Sequence, residues 1–367
     1  MKKFLLPLSF LALVNILAGC GGNNSGASTI STPPTSVYKT EKVIAKAASV
    51  SDELYIVGAS SDGNVLLRTS SGYQYGNAKT GLKLVSGVST STGIYSLAGR
   101  FAVGTSYPGT NPQLIEYDLV AGTNLTLSTN ANAQAVASNG TAIGDLYDGT
   151  YSSWLFTPTG GSTQIDLGSS YPVAMNSKGQ VILSDYAALG GISTGKGRTN
   201  ILNRVGKVFA ARAAKPKPMG GGGPMIQSFW TKDGKVLIPS QNGLSPEIVQ
   251  LSDNGEACGS VGNVNVAKGF VCTQDNTQGY IYEPLTGHNA ATVTCMGSAF
   301  VGGASGDYRD ATAVLWSRAT GEIVTQLAPK SSKNVYQAVL SINEDGSITV
   351  MGYDKTTGLP VVAVLTK

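Results

Sequence analysis

The feature that most constrains this chain of 367 residues is a strand-and-turn pattern that returns about every forty residues. An apolar strand leads to a turn containing Gly, a second apolar strand, a polar loop and a third strand. Residues 135–144, AVASNGTAIG, carry the first half, and residues 153–161, SWLFTPTGG, carry the second. The first turn places glycine at Gly63, Gly99, Gly140, Gly179, Gly234, Gly269, Gly297 and Gly346, at intervals of 36, 41, 39, 55, 35, 28 and 49 residues. A third-strand signal recurs in GYQYGNAKTG (72–81), QLIEYDLVAG (113–122), SWLFTPTGG, NILNRVGK (200–207), EIVQLSDNG (247–255), GYIYEPLTG (279–287), AVLWSRATG (313–321) and VVAVLTK (361–367). Short β-branched runs cut by glycine do not make amphipathic helices. Several strands per interval of about forty residues is the blade length of a β-propeller. The 47 glycines and the low charged fraction of 13% fit strands joined by tight turns.

The expected fold is therefore all-β, a propeller of eight blades. Seven is the alternative, because 28 residues between Gly269 and Gly297 barely hold four strands. The last repeat stops at its third strand, VVAVLTK, whereas VYKTEKVIAK (37–46) precedes the first repeat without a partner. If that segment supplies the missing outer strand, the ring closes end to end and leaves no bare sheet edge at the junction.

Trp154-Leu155-Phe156, Gly160-Gly161, Ile165-Asp166-Leu167-Gly168 and Ala174-Met175-Asn176-Ser177-Lys178-Gly179-Gln180-Val181 follow one another in the third and fourth copies. Ser341-Ile342-Asn343-Glu344-Asp345-Gly346 repeats part of that motif. These stretches resemble the HAF-type extracellular repeat, in which an aromatic strand, an Asp-Leu-Gly and an Ala-x-Asn-x-x-Gly-x-Val strand pair recur in tandem. The resemblance implies an exported β-repeat protein and no particular reaction.

The amino-terminal segment has a different logic. Lys2 and Lys3 precede an apolar run from Phe4 to Leu17, which ends in Leu17-Ala18-Gly19-Cys20. A charged start, a short apolar run and small residues at the cut have the layout of a secretory signal. The cysteine at the cut resembles the lipobox of bacterial lipoproteins. That resemblance implies diacylglycerol on the Cys20 sulfur, cleavage before it and acylation (palmitate, for example) of the new amino terminus. Several acyl chains hold a protein on a membrane where one does so only marginally. The expected organisation is a signal peptide over 1–19, a lipidated Cys20 with a Gly/Ser/Thr/Asn tether over 20–36, and a propeller over 37–367. With Gly21 after the cysteine and no retention aspartate, the outer membrane of a bacterial envelope is the expected address.

Chemistry-bearing residues are sparse. After Cys20, Cys258, Cys272 and Cys295 are left, and a short loop makes Cys258–Cys272 the expected disulfide in an oxidising compartment. The single histidine, His288, stands in a turn with no Gly-x-Ser-x-Gly elbow, and no Cys-x-x-Cys pair marks a metal site. Asp145 and Asp148, Asp185, Asp275, Asp307 and Asp310, and Asp354 follow the second strands of their repeats as that phase is read. They would gather at one rim, where Asp145, Asp148, Asp307 and Asp310 form a candidate cation or ligand site. Residues 190–224 hold Lys196, Arg198, Arg204, Lys207, Arg212, Lys215 and Lys217 and no acid, a candidate contact for an anionic partner.

Without residues 1–19 the net charge is near +2, which argues against nucleic acid as a partner. No cofactor is expected. The leading expectation is a membrane-anchored envelope lipoprotein that binds or scaffolds an envelope protein or glycan through a propeller rim. An envelope glycan hydrolase or lyase using rim carboxylates is the second reading, and a surface adhesin the third. Catalysis is the less favoured side of that choice.

Overall fold

The computed structural model describes residues 37–49, 52, 54–89, 92–147, 151–167, 170–185, 226–241, 244–262, 266–306 and 311–367. Cys20, the seven basic residues of 190–224, Asp148, Asp307 and Asp310 lie outside them.

The described residues form seven four-stranded antiparallel sheets, each one blade of a β-propeller. Blade 1 comprises β2 (Leu54–Ala59), β3 (Val65–Thr69), β4 (Gly72–Asn77) and β5 (Gly81–Leu84), and blade 2 comprises β6 (Gly93–Ala98), β7 (Phe101–Ser106), β8 (Gln113–Asp118) and β9 (Thr123–Ser128). Blade 3 is β10 (Ala131–Val136), β11 (Ala142–Tyr147), β12 (Tyr151–Phe156) and β13 (Ser162–Ile165). Blade 4 is β14 (Ser170–Met175), β15 (Val181–Asp185), β16 (Gln227–Thr231) and β17 (Gly234–Ile238). Blade 5 is β18 (Ser245–Leu251), β19 (Glu256–Gly262), β20 (Ala267–Thr273) and β21 (Tyr280–Tyr282). Blade 6 is β22 (Ala291–Met296), β23 (Phe300–Ser305), β24 (Thr312–Ser317) and β25 (Ile323–Val324). Blade 7 takes β26 (Asn334–Ile342), β27 (Ile348–Asp354) and β28 (Pro360–Thr366) from the end of the chain and β1 (Thr40–Lys46) from its start.

The closing strand is as expected: β1 pairs antiparallel with β28, from Thr40 opposite Thr366 to Lys46 opposite Val361. The eight-blade count is corrected to seven. Residues 186–225 separate the second and third strands of blade 4 and stretch it by about one repeat length. That insertion shifts the sequence phase of everything up to blade 6. Gly234 opens the outer strand of blade 4, and Gly269 lies inside β20; the first turn of blade 5 belongs to Gly255. EIVQLSDNG is accordingly a first strand and its turn, and GYIYEPLTG is an outer strand and the connection beyond it.

First strands neighbour first strands around the axis, and β2 meets β26 to complete the ring. Five of the first turns, beginning at Ser60, Ala137, Asn176, Ser252 and Asn343, share one geometry. The N–H of the opening residue donates to the carbonyl four residues on, and the glycine at the fourth position donates back. That glycine has φ between 78° and 90°, as a three-residue hairpin loop with a glycine bulge requires. This explains why a Gly recurs where the sequence places it in those blades.

Each innermost strand also carries a bulge at one level, between Ile56 and Gly58 in blade 1 and between Val293 and Cys295 in blade 6, for instance. The other five lie at the same place in their blades. The second strand accommodates it with glycine in five blades: Gly104, Gly144, Gly259, Gly303 and Gly352. A Cβ on Gly259, Gly303 or Gly352 would stand within 2.0 Å of an inner-strand carbonyl oxygen.

Free donors on the inner strands find acceptors one blade back. Tyr73 Oη of blade 1 accepts from Ile94 N (3.0 Å), Thr105 Oγ1 of blade 2 from Ala133 N (2.9 Å), and Gln227 Oε1 of blade 4 from Ile248 N (2.6 Å). In blade 4 the same position is Pro172, which has no N–H to satisfy. The apolar core is divided likewise into seven clusters, one per blade interface. The cluster between blades 7 and 1 joins Met351 and Val362 to Leu54, Ile56, Val65 and Leu67, so packing as well as strand pairing closes the ring.

Candidate functional site at the loop rim

With the first strand innermost, the chain direction separates two rims. Loops from second to third strands and the connections between blades emerge on one, the loop rim. The hairpins between first and second and between third and fourth strands emerge on the other, the turn rim.

The turn rim is tied across blades. Asp253, in the first turn of blade 5, accepts hydrogen bonds from the Ser138 hydroxyl of blade 3 and from Ser177 N of blade 4 (2.8 Å). Asn176 donates to Ser252 O (2.9 Å), Asn139 to Ser177 O (3.3 Å), and Glu344 N of blade 7 to Ser61 O of blade 1 (2.9 Å). Partial burial works against the charge on Asp253, but the bonds from Ser138 and Ser177 outweigh it and hold the carboxyl below its ordinary value. Blades 3 and 5 are not neighbours, so a contact between their tips draws this side of the ring inward. Arg318 of blade 6 adds a bidentate pair to Glu256 of blade 5, at 2.7 and 3.0 Å.

The loop rim carries a different set. The Arg68 guanidinium on β3 is exposed and lies 6.0 Å from the ring centroid of Tyr55 on β2. In blade 2, the Tyr95 hydroxyl lies over Gly93, where a Cβ would come within 2.4 Å of it. Only glycine at 93 leaves room for that ring to fold back toward the rim. Tyr107, 47% exposed, follows β7 and donates its hydroxyl to Asn132 Oδ1 on β10 at 2.8 Å. Burial, then the nearby hydroxyls of Tyr107 and Tyr73, raise the Tyr95 pKa, with Arg68 opposing. Three tyrosines, one guanidinium and one carboxamide thus form an arc over blades 1 to 3. In the corrected phase Tyr55 and Tyr171 precede their bulges at one level and Tyr95 occupies the bulge itself; the misplaced repeats of blades 4 and 5 obscured that alignment in the sequence.

The described rim acids, Asp145, Asp185, Asp275 and Asp354, are not brought together as a group. Asp145 lies in β11, is 2% exposed, and accepts from Gln134 Nε2 and Ser153 Oγ, both at 2.8 Å. Asp354 pairs with Lys46 at 2.8 Å and accepts from Thr356 N and Thr357 N; Lys46 first, then Thr357 N, holds its carboxyl well below the usual range. Asp185 ends β15 at the loop rim, whereas Asp275 follows β20, a third strand, and therefore belongs to the turn rim. Among the described residues no three His, Cys, Asp or Glu side chains converge as metal ligands. Lys46 and Asp354 also line a groove of about 470 Å³ beside β1 with Glu41, Lys333 and Asn334, where Glu41 accepts from Asn334.

The expected Cys258–Cys272 bridge is corrected. Cys258 pairs with Val271 and Ala257 with Cys272, so the two cysteines are one register step apart on adjacent strands and face opposite sides of the sheet. Cys258 packs between blades 5 and 6 and Cys272 between blades 4 and 5, each buried as a free thiol. Burial raises the Cys272 thiol to about 12. His288 Nδ1 lies 3.1 Å from Ser305 Oγ, but that hydroxyl is fully buried and accepts Leu285 N at 2.9 Å. The pair braces the connection into blade 6 and offers no accessible nucleophile.

No protein-family model matches the sequence, and no curated protein matches it. Solved structures do resemble the fold. The propeller domain of the trilobed protease from Pyrococcus furiosus, described as having an open velcro topology, aligns with a TM-score of 0.51 at 8% identity over 85% of this chain and 93% of that one. An oligogalacturonate lyase in complex with manganese gives 0.50 at 9% identity, covering 92% and 98%. An acylaminoacyl peptidase from Pyrococcus horikoshii gives 0.50 at 10% identity, and the chain spans 51% of its length. At such identities the likeness extends to the fold alone: this chain is a seven-bladed β-propeller, closed by its own first strand.

Proposed function

We propose that the protein is a lipid-anchored binding module of the bacterial cell envelope, which holds a partner protein or glycan at its loop rim. The observation that carries this reading is the difference between the rims. One is laced together by hydrogen bonds between turns of different blades. The other presents Tyr55, Arg68, Tyr95, Tyr107 and Asn132 side by side. Tyrosine and arginine are the residues that binding surfaces favour, because rigid rings and a planar fork of donors lose little entropy on contact. In sequence the basic segment 190–224 falls between β15 and β16, whose facing ends, Asp185 and Gln227, belong to the loop rim. The signal and lipobox at residues 1–20 supply the address.

A photo-crosslinking residue placed at Tyr107, and in a second protein at Ser177, tests the reading in cells that make the full chain. Adducts specific to position 107 are the expected result. Equal adducts at both positions, or none at 107, would overturn it.

A further inference from the structure

The five first turns of common geometry have glycines that face different groups. Gly63 faces Asn343, Gly255 faces Gln180, Gly346 comes no nearer than 4.0 Å to the Lys367 ammonium, and Gly179 faces open space. Gly140 of blade 3 alone among the five faces an acid. A Cβ there would stand 3.0 Å from Oε2 of Glu116 on β8 and 2.8 Å from Pro158 Cγ, so turn and proline cap that carboxyl together. Glu116 is 5% exposed, and its Oε2 meets no donor among the described residues. A buried carboxyl in such a place is tolerable while it keeps its proton; once ionised it needs a donor or water. The same turn is tied to two other blades. Ser138 donates to Asp253 of blade 5, and Asn139 donates to Ser177 O of blade 4 at 3.3 Å.

We propose that Glu116 is the trigger of a pH-sensitive latch on the turn rim. Once ionised, it lifts the turn 137–141 off its carboxyl so that water enters, and the turn carries Ser138 and Asn139 away from Asp253 and Ser177. The tip of blade 3 is thereby released from blades 4 and 5. The charged groups that face Glu116 are Asp118 and Arg100, themselves paired at 3.1 Å. The elements packed around it, β7, β9, β10, the turn 137–141 and the hairpin 157–161, carry no titratable side chain. Burial, then Asp118, raise the Glu116 pKa to about 7, with Arg100 opposing, so the latch is closed in acid and opens as the pH rises through that value. Burial works against the charge on Asp253, but its bonds from Ser138 and Ser177 hold that carboxyl below its ordinary value, so the latch's own acceptor does not titrate over the same interval. The device belongs to the turn rim and does not depend on what the loop rim binds.

Amide hydrogen exchange of the full chain, compared at about pH 5.5 and about pH 8 and corrected for the intrinsic pH dependence of exchange, reads the turn. Ala137 N and Gly140 N are bonded within it, at 2.8 and 3.0 Å, and Gly346 N, bonded in the same way at 2.9 Å in blade 7 with no acid beside it, is the internal control. The carbon-13 shift of the Asp253 carboxyl reads the latch. Ala137 N and Gly140 N should exchange about 30-fold faster at the higher pH, the linkage expected if the carboxyl titrates normally once the turn lifts. Gly346 N should stay level, and the Asp253 resonance should move. In Glu116→Gln and in Glu116→Leu, neither of which can ionise, all of these signals should be the same at both pH values. Exchange at Gly140 that does not rise above that of Gly346, or a rise of equal size in the two variants, would overturn the proposal. A faster turn with an unmoved Asp253 resonance would overturn it as well, because the turn would then move without carrying the latch.

Discussion

Glu116 sits on β8 with its side chain turned toward blade 3, only 5% exposed, and its Oε2 meets no hydrogen-bond donor. A Cβ on Gly140 would lie 3.0 Å from that oxygen, so the first turn of blade 3 presses directly on the carboxyl. Burial, then Asp118, raise its pKa from 4.5 to about 7, against the pull of Arg100. The folded state therefore keeps a proton that the unfolded chain releases near 4.5. This group's contribution to stability is complete below that pH and is lost as the pH rises through about 7. Glu116→Gln should remove that loss, and by pH 8 the variant should be the more stable by about 3 kcal/mol. Parallel melting profiles of the two proteins from pH 4 to 8 would show that the carboxyl ionises freely in the fold. Glycines divide by the same local accounting. Gly352→Ala drives a Cβ to 1.8 Å from Val335 O and should cost roughly 3 kcal/mol or more in denaturant titration. Gly179→Ala, with φ +78° and open space around it, should cost only about 1–2 kcal/mol of left-handed backbone strain.

Elements in this ring depend on their neighbours for more than apolar contact. Thr105 is 1% exposed, and its hydroxyl is the acceptor for Ala133 N across the interface between blades 2 and 3. Thr105→Val keeps the shape and removes the acceptor, so the melting temperature should fall by the equivalent of about 1–3 kcal/mol. Thr105→Ser, which keeps the oxygen, should lose less; equal losses would mean that the methyl group and not the bond is what matters. The closing strand is tested at the same scale. Removal of residues 37–46 strips β28 of its partner and exposes a row of donors and acceptors, whereas removal of 21–36 leaves every described sheet intact. The first truncation should melt far below the second, and equal melting temperatures would count against β1 as a structural strand.

For the whole molecule, the ring and the proposed lipid anchor can be tested separately. If acyl chains on Cys20 anchor the protein, as proposed, Cys20→Ala should move it from the membrane fraction to the soluble one without changing its melting temperature, because the first described strand begins at Thr40. A variant that still sediments with membranes after a salt wash would argue that something other than acyl chains holds it there. Stability itself is shared around seven interfaces, and blade 7 joins the first described strand of the chain to the last. Unfolding should therefore be cooperative across the ring.

Much of this architecture is local and so was legible in the residues. Short β-branched runs, and glycines that must adopt positive φ in the first turns, specify strands and hairpins whatever lies around them. The unpartnered VYKTEKVIAK segment pointed to closure, because a terminal blade one strand short leaves hydrogen bonds unmade. Blade number was not local. Residues 186–225 imitate a repeat in length, and only strand pairing shows that Gln227–Thr231 belongs with β15 in blade 4. The cysteines were misjudged for a related reason. Sequence distance measures loop closure, but register decides which face of a sheet a side chain occupies, and one step placed Cys258 and Cys272 on opposite sides. The loop-rim arc depends most on tertiary structure, since Tyr55, Arg68, Tyr95, Tyr107 and Asn132 lie far apart along the chain and share one rim only because every blade enters the ring by its innermost strand.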